Sequence, residues 1–524
     1  MTISPAQARI RDWILLPMSC LIALLLLSAC VSNQTTQEQE AGNDHGVTIP
    51  LAQGSKPGTE GKSTGNVQKL TLPSAGNRLK ISTAVETALR ENLKTKVFRE
   101  QENAAASGVD VERGAFNPEL SSDLSSGTNE LSNGGYSYGV NKRFQTGTQV
   151  QVEGGAIYDE ALPIADGFPD SDSDSSTFGL RIRQPLLRGA GVKYNQSGIK
   201  RAKLVAVAAD IRTQAQIYQT LREVESSYWA ASTYQQLVLA RLNSVSRNRS
   251  LVDDVKARKD LGSATTLDVL EAESSQAEAN LELVSARKLY RDEVDRIQVL
   301  LGMDLSNGHF DWEMDPVTTA FDERQSPSEQ AIFDNAIENA PEIALLINEV
   351  EQRGIEAFRA NNEKLPRLDV ELNSLKRDES SNSGDPWETI GLVRVSIPWG
   401  NRERNALYDQ AQSRLAASQL TRADEELKLK QQIFEVTRRI VTGKEELAVA
   451  KYALKVNEAK WNEQLARSKE GLVATRALRE SEADLRIAEV KENTARLKLI
   501  LAWSYLSQLD GSIADRLGVQ LASN

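Results

Sequence analysis

Histidine and cysteine are almost missing from this chain of 524 residues, and their scarcity narrows the chemistry open to it. The chain has two histidines, His45 and His309, and two cysteines, Cys20 and Cys30. This set offers little for a metal centre, for histidine acid–base catalysis or for a disulfide framework. We therefore expect neither an enzyme nor a bound cofactor.

Aromatic residues and basic blocks are also scarce. Aromatic residues make up 5% of the chain, hydrophobic residues 40%, and the net charge is −11. The absence of a basic block argues against nucleic acid as a partner. This apolar fraction is low for a chain with several compact cores, but it is sufficient for long helices that pack along narrow apolar stripes.

Proline is absent from two long stretches, which predicts long uninterrupted helices. None occurs between Leu186 and Asp315, and none follows Trp399. In the second stretch Gly443 is the only glycine between positions 401 and 470, so we place a helix–helix turn at 441–444. The corresponding position in the first stretch is 231–235, which gives helical arms of about 60 Å each.

The N-terminus carries an export signal. Arg9 and Arg11 precede an apolar run that ends in Leu27-Ser28-Ala29-Cys30. This pattern predicts a lipoprotein signal peptide at 1–29 and acylation of Cys30. Polar residues 30–77 then form a flexible tether. A membrane anchor that is not cleaved is the alternative.

The body of the chain carries two related halves. GLRIRQPLL at 179–187 is echoed by GLVRVSIPW at 391–399, and LGSATTLDVLEAE at 261–273 by EGLVATRALRESE at 470–482. We predict a first repeat at 78–306, a connector at 307–325, a second repeat at 326–512 and a tail at 513–524. Each repeat would hold an opening helix (80–114 or 327–361), strands and a long helical hairpin.

Alternating residues mark the strands, and heptad spacing marks the helices. Phe178, Leu180 and Ile182 alternate with polar residues, as in a membrane barrel or any half-buried strand. After Leu392 the alternation changes phase, which predicts a β-bulge. The predicted coiled-coil seam of one helix consists of Leu267, Leu270, Ala277, Leu281 and Val284. Helical spacing alone also fits a soluble bundle or a cytoskeletal rod.

Several motifs together resemble the TolC-like outer-membrane efflux protein family, as an outer membrane factor lipoprotein, over roughly residues 79–510. They include Asn117-Pro118-Glu119-Leu120, Leu365-Pro366-Arg367-Leu368, QPLLRGAG at 184–191, IPWGNRE at 397–403, and Leu261-Gly262 followed by TLDVLEAE.

The resemblance implies a mainly α fold with membrane β-structure. Three copies would form an outer-membrane β-barrel that continues into a long periplasmic helical barrel. The implied function is an exit duct of a tripartite efflux system, lipid-anchored in the outer membrane. Its partners would be a periplasmic adaptor and an inner-membrane pump of the RND or ABC type, and it would perform no catalysis.

Two other functions stay open. The duct could serve type I protein secretion, or the chain could be a structural coiled-coil lipoprotein without a pore. The paired strands argue against the second, since a rod has no use for them.

Two groups of residues are the candidate sites. The strand-to-helix junctions comprise Gln184, Pro185, Leu186, Leu187, Gly189, Pro398, Trp399 and Gly400. The predicted periplasmic tip or gate comprises Ala231, Ser232, Thr442, Gly443, Glu445 and Glu446. A carboxylate ring formed by Glu445 and Glu446 would favour cations, although adjacent charges on a long helix are commonly a solvated face.

The first half carries about 35 extra residues that predict an additional hairpin at 135–155, turning at Thr146-Gly147. The hairpin could widen the barrel beyond the four strands per protomer that the resemblance implies, or it could be extracellular. The acidic tract at 166–176 is interpreted as a solvated loop.

Overall fold

The structure is a computed structural model that describes residues 78–519, apart from 126–132, 160–174, 308–311, 317–327, 380–386, 398, 471 and 474. The predicted signal peptide, the tether and Cys30 lie outside the described residues. Within the described part, no helix combines the length and apolar character needed to cross a membrane.

Helices account for most of the described chain. They are α1 Ile81–Glu91, α2 Leu93–Gly114, α3 Val192–Asn195, α4 Ser197–Asp260, α5 Thr266–Leu300, α6 Glu329–Asn339, α7 Pro341–Glu363, α8 Arg402–Lys469, α9 Thr475–Leu509 and α10 Ile513–Arg516. A short 3₁₀ turn covers Leu305–Asn307. At 64 and 68 residues, α4 and α8 are each about 100 Å long.

The strands form two sheets. They are β1 Arg78–Leu79, β2 Glu119–Ser125, β3 Asn133–Arg143, β4 Gln149–Asp159, β5 Ser175–Pro185, β6 Glu313–Met314, β7 Arg367–Glu379 and β8 Glu388–Ser396. The small sheet pairs β1 with β6 in parallel. The large sheet has the order β2-β3-β4-β5-β7-β8, and every neighbouring pair is antiparallel.

The additional hairpin lies inside the large sheet. β3 and β4 pair along their whole length, and β4 also pairs with β5. The turn falls where the sequence predicts it, with Gly147 at φ 94° and its N–H donating to the Phe144 carbonyl at 2.9 Å. The described part of the protomer therefore contributes six strands to this sheet, with β2 and β8 at its edges.

The predicted β-bulge in the last strand is wrong. The β7–β8 register runs without interruption from Arg367 opposite Ser396 to Leu375 opposite Glu388. The phase change in the sequence arises because apolar Ile390 and Leu392 occupy the otherwise polar face, opposite Asn373 and Glu371.

The two faces of the large sheet differ in chemistry. Alternation and register place Val152, Leu180, Leu372 and Val393, with their neighbours, on one face. The opposite face carries polar and charged residues, which are Asn141, Gln151, Glu153, Arg181, Arg183, Asp369, Glu371, Asn373 and Arg394.

The helix–helix turns lie about thirty residues beyond the positions predicted for them. α4 runs unbroken through 231–235 and α8 through 441–444, so both predicted turns are wrong. The described chain instead reverses between the end of α4 at Asp260 and the start of α5 at Thr266, and between the end of α8 at Lys469 and the start of α9 at Thr475. The arms are therefore unequal, with 64 or 68 residues in the first and 35 in the second.

Gly443 lies inside α8 and does not interrupt it. A lone glycine costs a helix only about 1 kcal/mol relative to alanine, which a long packed helix tolerates. A Cβ added at Gly443 would lie 3.6 Å from Leu499 Cδ1 on α9. That distance is an ordinary van der Waals contact, so the packing of α8 against α9 would accept an alanine at this position.

Each predicted opening helix is divided into two. Asn92 separates α1 from α2, because its side chain accepts a hydrogen bond from Thr95 N and donates one to Leu300 O at 3.0 Å. Pro341 begins α7 and lacks the N–H that a continuous helix would need. The sequence pattern showed the helical periodicity but not these interruptions.

The coiled-coil seam predicted for α5 is not buried against any described helix of the same protomer, so that prediction is wrong for a single copy. Leu267, Leu270, Leu281 and Val284 are all exposed. The buried face consists of Val269, Ala272, Ala279, Leu283, Ala286, Val294 and Ile297. α5 therefore has two apolar faces, and the more regular heptad stripe is the one that the protomer leaves uncovered.

The C-terminal helix α10 is tied to the middle of α4. Arg516 donates two hydrogen bonds of 2.5 Å to the carboxylate of Glu225, which is 1% exposed. Ser504 donates to the same carboxylate at 2.5 Å. Part of the predicted tail is thus an ordered element of the helical body.

Candidate functional site at the strand-to-helix junctions

The first junction turns sharply at Pro185. Pro185 lies opposite Asp369 at the end of β5, and the next backbone N–H, of Leu186, still donates to Leu368 O at 2.8 Å. Proline supplies no N–H of its own, which suits the last position of a strand. Leu186 and Leu187 then lie exposed on the surface.

Two glycines complete this turn. Gly189 and Gly191 have φ values of 79° and 90°, a region in which residues with a Cβ are strained. The Gly189 N–H donates to Asn362 Oδ1 at 2.8 Å, and Asn195 Nδ2 donates to the carbonyls of both glycines at 2.9 Å. The junction is therefore held by side chains of α3 and α7.

The second junction uses the same backbone device. Gly400 has φ 79° and Asn401 φ 37°, and Asn401 Nδ2 donates to Lys364 O at 3.1 Å. The ring of Trp399 is fully exposed. Pro398, which was predicted as part of this junction, lies outside the described residues.

A cavity of about 500 Å³ opens beside the first junction. Its cationic lining consists of Arg143, Arg183, Arg188, Arg367 and Arg404. Strands β3, β5 and β7, the junction loop and the first turn of α8 each supply one of these side chains. Elements far apart in sequence thus bring five guanidinium groups to one place.

Three of the five arginines have partners. Asp369, which is fully buried, accepts hydrogen bonds at 2.8 Å from Arg183 Nη2 and 2.6 Å from Arg367 Nε. Arg143 donates to Asn195 Oδ1 at 2.8 Å.

The other two arginines have no such partner. Across the described residues, no carboxylate pairs with Arg188 or Arg404, and Arg404 Nη1 is buried without a hydrogen bond. Burial lowers the pKa of Arg188, the guanidinium groups of Arg404 and Arg367 lower it further, and together they outweigh the opposing attraction to Asp369. The cavity therefore carries cationic charge that the described chain leaves unneutralised.

Tyr194 forms part of the same wall. Its hydroxyl donates to Glu363 Oε1 at 3.0 Å. Burial raises the pKa of Tyr194, and the Glu363 carboxylate raises it further, so the phenol stays protonated at neutral pH.

The predicted tip residues fall in the middle of the long helices. Ala231 and Ser232 are buried, and Ser232 Oγ donates to Asp315 O at 2.6 Å, so this part of α4 holds the connector. Thr442 Oγ1 donates to Arg438 O at 3.0 Å. Glu445 and Glu446 are exposed on α8 more than twenty residues before its end, so placing them at the tip is wrong.

The turn between α4 and α5 is a well-formed cap. Gly262 has φ 78°, and the Ser263 N–H returns to Arg258 O at 2.8 Å. Thr265 Oγ1 accepts from Asp268 N at 3.1 Å, while Asp268 Oδ2 accepts from Thr265 N at 2.8 Å. This reciprocal capping box begins α5.

The two helical hairpins contact each other near these turns. Arg258 Nη2 donates to Ser468 O at 2.7 Å and to Ser468 Oγ at 3.0 Å, joining the end of α4 to the end of α8. An apolar cluster lies directly behind this link and consists of Leu251, Val252, Val255, Val269, Ala272, Trp461, Leu478 and Leu485.

An ionic network joins α4, α5 and α9 further along. Glu482 is 4% exposed and accepts from Ser244 Oγ at 2.6 Å and Arg247 Nη2 at 3.2 Å. Glu282 bridges Arg241 and Arg486, each at 3.3 Å. Among the described residues, no group of three or more His, Cys, Asp or Glu side chains is arranged to hold a metal ion.

The arginine cavity was not predicted from the sequence. Its members are spread from Arg143 to Arg404, and each reads locally as an ordinary polar strand or loop position. The available signal was the alternation itself, which puts Arg183 and Asp369 on the polar face of neighbouring strands. Only the pairing of β5 with β7 shows that they meet.

Solved structures show the class of fold. A membrane protein from Pseudomonas aeruginosa superposes with a TM-score of 0.63 at 14% identity, over 84% of this chain and 91% of its own. The Campylobacter jejuni CmeC outer membrane channel gives 0.62 at 12% identity, over 82% and 85%. The outer membrane protein VceC from Vibrio cholerae gives 0.57 at 14%, over 84% and 96%.

The fold is therefore that of the outer-membrane channels. Residues 84–303 match the family described as outer membrane efflux protein, which confirms the resemblance found in the sequence motifs. No curated protein sequence matches the chain.

Proposed function

We propose that three copies of this chain form an outer-membrane exit duct. The duct conducts substrates passively from an inner-membrane pump and a periplasmic adaptor to the exterior. The observation that carries the proposal is a two-faced sheet with open edges, joined directly to helices whose apolar stripes the protomer leaves uncovered. The match of residues 84–303 to the outer membrane efflux protein family supports the same function.

The sheet has the dimensions of a membrane barrel segment. Strands β3, β4 and β5 each have 11 residues, which suits a tilted membrane-spanning strand. The apolar side chains of Val370, Val393 and Val395 are exposed on one face, where lipid would cover them. The charged face would then line water.

Aromatic rings lie at both ends of the apolar face. Phe178 packs edge-on against Trp387 with ring centroids 5.8 Å apart, near the loop end of the sheet. Trp399 is fully exposed at the helix end. Such rings prefer the two interfaces of a bilayer, so their separation supports a spanning sheet.

Ring closure follows from the two open edges. β2 and β8 present unpaired backbone groups, and they are different strands, so one copy can join β8 to β2 of the next. Three six-stranded sheets supply eighteen strands. At a strand spacing of about 4.8 Å and a tilt of about 40°, the barrel would be roughly 35 Å across.

Uncovered heptad stripes support the same assembly. On α8 the exposed or half-exposed residues Leu420, Leu427, Phe434 and Val441 recur every seven positions. α5 presents its own uncovered stripe of Leu267, Leu270, Leu281 and Val284. Different stripes on the two hairpins suit a head-to-tail ring in which each copy covers the next.

The lipid anchor belongs to the same proposal. Acylation of Cys30 would hold the N-terminus at the membrane, and residues 30–77 would link the lipid to α1. Type I protein secretion remains the alternative cargo class, and the width of an eighteen-stranded barrel is compatible with either.

Charge inserted into the α8 stripe tests the proposal. The double variant Leu427→Glu, Val441→Glu should lower the detergent-corrected mass from trimer to monomer and abolish conductance in planar bilayers, because carboxylates cannot be buried between copies without partners. Thr421→Glu is the control, since it adds one carboxylate at an exposed position away from the stripe, and the single variant Leu427→Glu is its match in charge. A double variant that stays trimeric and conducting would overturn the assembly.

A further inference from the structure

The arginine cavity has a property that a conduit wall does not require. Five arginines converge on about 500 Å³, and the carboxylates nearest to them, Asp369 and Glu371, are both already engaged by arginine. Glu363, the carboxylate in the lining itself, accepts from the neutral Tyr194 hydroxyl and offsets one of the five positive charges, so the lining keeps a cationic excess. Arg188 and Arg404 are thus the two arginines of the lining that make neither an ion pair nor a side-chain hydrogen bond within the described chain, and Arg143 has only the neutral partner Asn195.

Holding these two cations together is costly without an anion. Like charges near a protein surface repel by an amount that grows as solvent is removed. Arg404 Nη1 is already removed from solvent and makes no hydrogen bond there. A buried donor of this kind normally has a partner, and a ligand oxygen in the cavity would supply one.

The chemistry of the lining selects the class of ligand. Guanidinium groups present planar paired donors that match the oxygens of phosphates and carboxylates. Gln149 and Asn195 add neutral polar groups to the same wall. The cavity is far larger than a halide ion and has room for a polyatomic anion.

The position of the cavity determines from which side it fills. Arg183 lies on the charged face of the sheet, and Arg143 on β3 lies on the same face through the register of β3, β4 and β5. This face turns away from the apolar face that lipid would cover. A dissolved anion can therefore reach the cavity, whereas a lipid headgroup held at the apolar face cannot.

We propose that the cavity is a binding site for dissolved oxyanions, phosphate or carboxylate groups carried by solutes, with Arg188 and Arg404 as the residues that contact the ligand. The paired arginines Arg183 and Arg367 hold Asp369 and shape the wall. Naming the site as part of the duct interior rests on the proposed function, but the binding itself does not. In the assembled duct, three such sites would form a cationic ring and favour anions.

Isothermal titration of the full-length protein in mild detergent, with sodium pyrophosphate as the probe at constant ionic strength, tests the site. The wild type should bind, and Arg188→Gln combined with Arg404→Gln should weaken binding at least tenfold. That loss corresponds to one charge-assisted hydrogen bond. Each single variant should fall between the two, which keeps the test informative if the double variant does not fold.

Arg402→Gln is the matched control. It removes an exposed arginine from the first turn of the same helix, two positions from Arg404 and on a different face. Binding should be unchanged in this variant. No heat from the wild type, or equal affinity in wild type and double variant, would overturn the site.

Conductance measurements distinguish a failure of the proposed anion site from a failure of the proposed duct. A protein that binds pyrophosphate but forms no pore keeps the site and overturns the duct. A protein that conducts but binds no pyrophosphate keeps the duct and overturns the site, as would be found if carboxylates of a neighbouring copy occupied the cavity. In a conducting protein, the double variant should also shift the reversal potential in a KCl gradient towards cation selectivity.

Discussion

Glu489 shows at the residue scale how the helical body tolerates buried charge. It lies on α9 with Arg247 Nη2 3.8 Å from its carboxylate. Burial raises the pKa of Glu489, and this outweighs the lowering effect of Arg247 and Arg241. Ionised Glu489 is thus less favourable in the folded state than in water, even with two arginines nearby.

The pH dependence of this cost has a definite sign. At neutral pH the folded state bears the full cost of the ionised carboxylate. As pH falls through the raised pKa, protonation of Glu489 removes that cost and stabilises the fold. Below the ordinary glutamate value of 4.5 the unfolded chain is protonated as well, so no further gain follows.

Glu489→Gln should therefore raise the thermal unfolding midpoint at pH 7, and the difference from wild type should shrink as the pH approaches 4.5. Glu278→Gln, at an exposed position on α5 and not among the charges that shift the pKa of Glu489, is the control and should show no such trend. Scanning calorimetry from pH 4.5 to 8 measures both. A less stable Gln variant at pH 7 would mean that attraction to Arg247 outweighs burial.

At the element scale, the long hairpins depend on how each turn is capped. The glycine and the threonine of the first turn lie within LGSATTLD at 261–268. Gly262 ends α4 with a positive φ, and Thr265 begins α5 with a capping box. The turn is thus encoded locally, although it was placed elsewhere from the sequence.

Thr265→Ala should loosen the start of α5. Losing an N-cap costs about 1 kcal/mol, which corresponds to about fivefold faster hydrogen exchange at the first helical amides. Thr266→Ala is the matched control, because the neighbouring threonine makes no capping bond. Exchange mass spectrometry of peptides covering residues 264–272 measures both. Equal rates in the two variants would contradict the capping role.

Local sequence patterns predicted whether a segment is a strand or a helix better than they predicted where the helices turn and what each helix packs against. Alternation along β5 and the turn at Gly147 gave the strands and the extra hairpin correctly, since period-two patterns and turn glycines act within a few residues. The helix turns were misplaced because the lone Gly443 was interpreted as a turn. The capping box that begins α5 is a weaker sequence signal than a single glycine inside a long helical pattern. The seam of α5 was misassigned because a heptad repeat does not say which copy of the chain covers it.

At the scale of the whole molecule, three features point to one assembly. The sheet has two different open edges, α5 and α8 have different uncovered stripes, and the charged face of the sheet meets the helices at the arginine cavity. A single copy leaves all of these unsatisfied. A closed ring of copies pairs the edges and covers the stripes, while the charged face stays in water.

The strand number distinguishes this assembly from the one that the sequence resemblance implied. Four strands per copy would give a barrel of twelve strands, whereas the six observed here give eighteen. Because barrel diameter grows roughly in proportion to strand number, the pore would be about half as wide again. The β3–β4 hairpin is the element responsible.

Single-particle electron cryo-microscopy of the protein purified in mild detergent tests the central claim most directly. The account predicts a three-fold hollow particle with a detergent belt around an eighteen-stranded barrel roughly 35 Å across. Beneath the belt, the barrel should continue into a tube of helices. Solid rods, monomers without a belt, or a barrel that excludes the β3–β4 hairpin would contradict it.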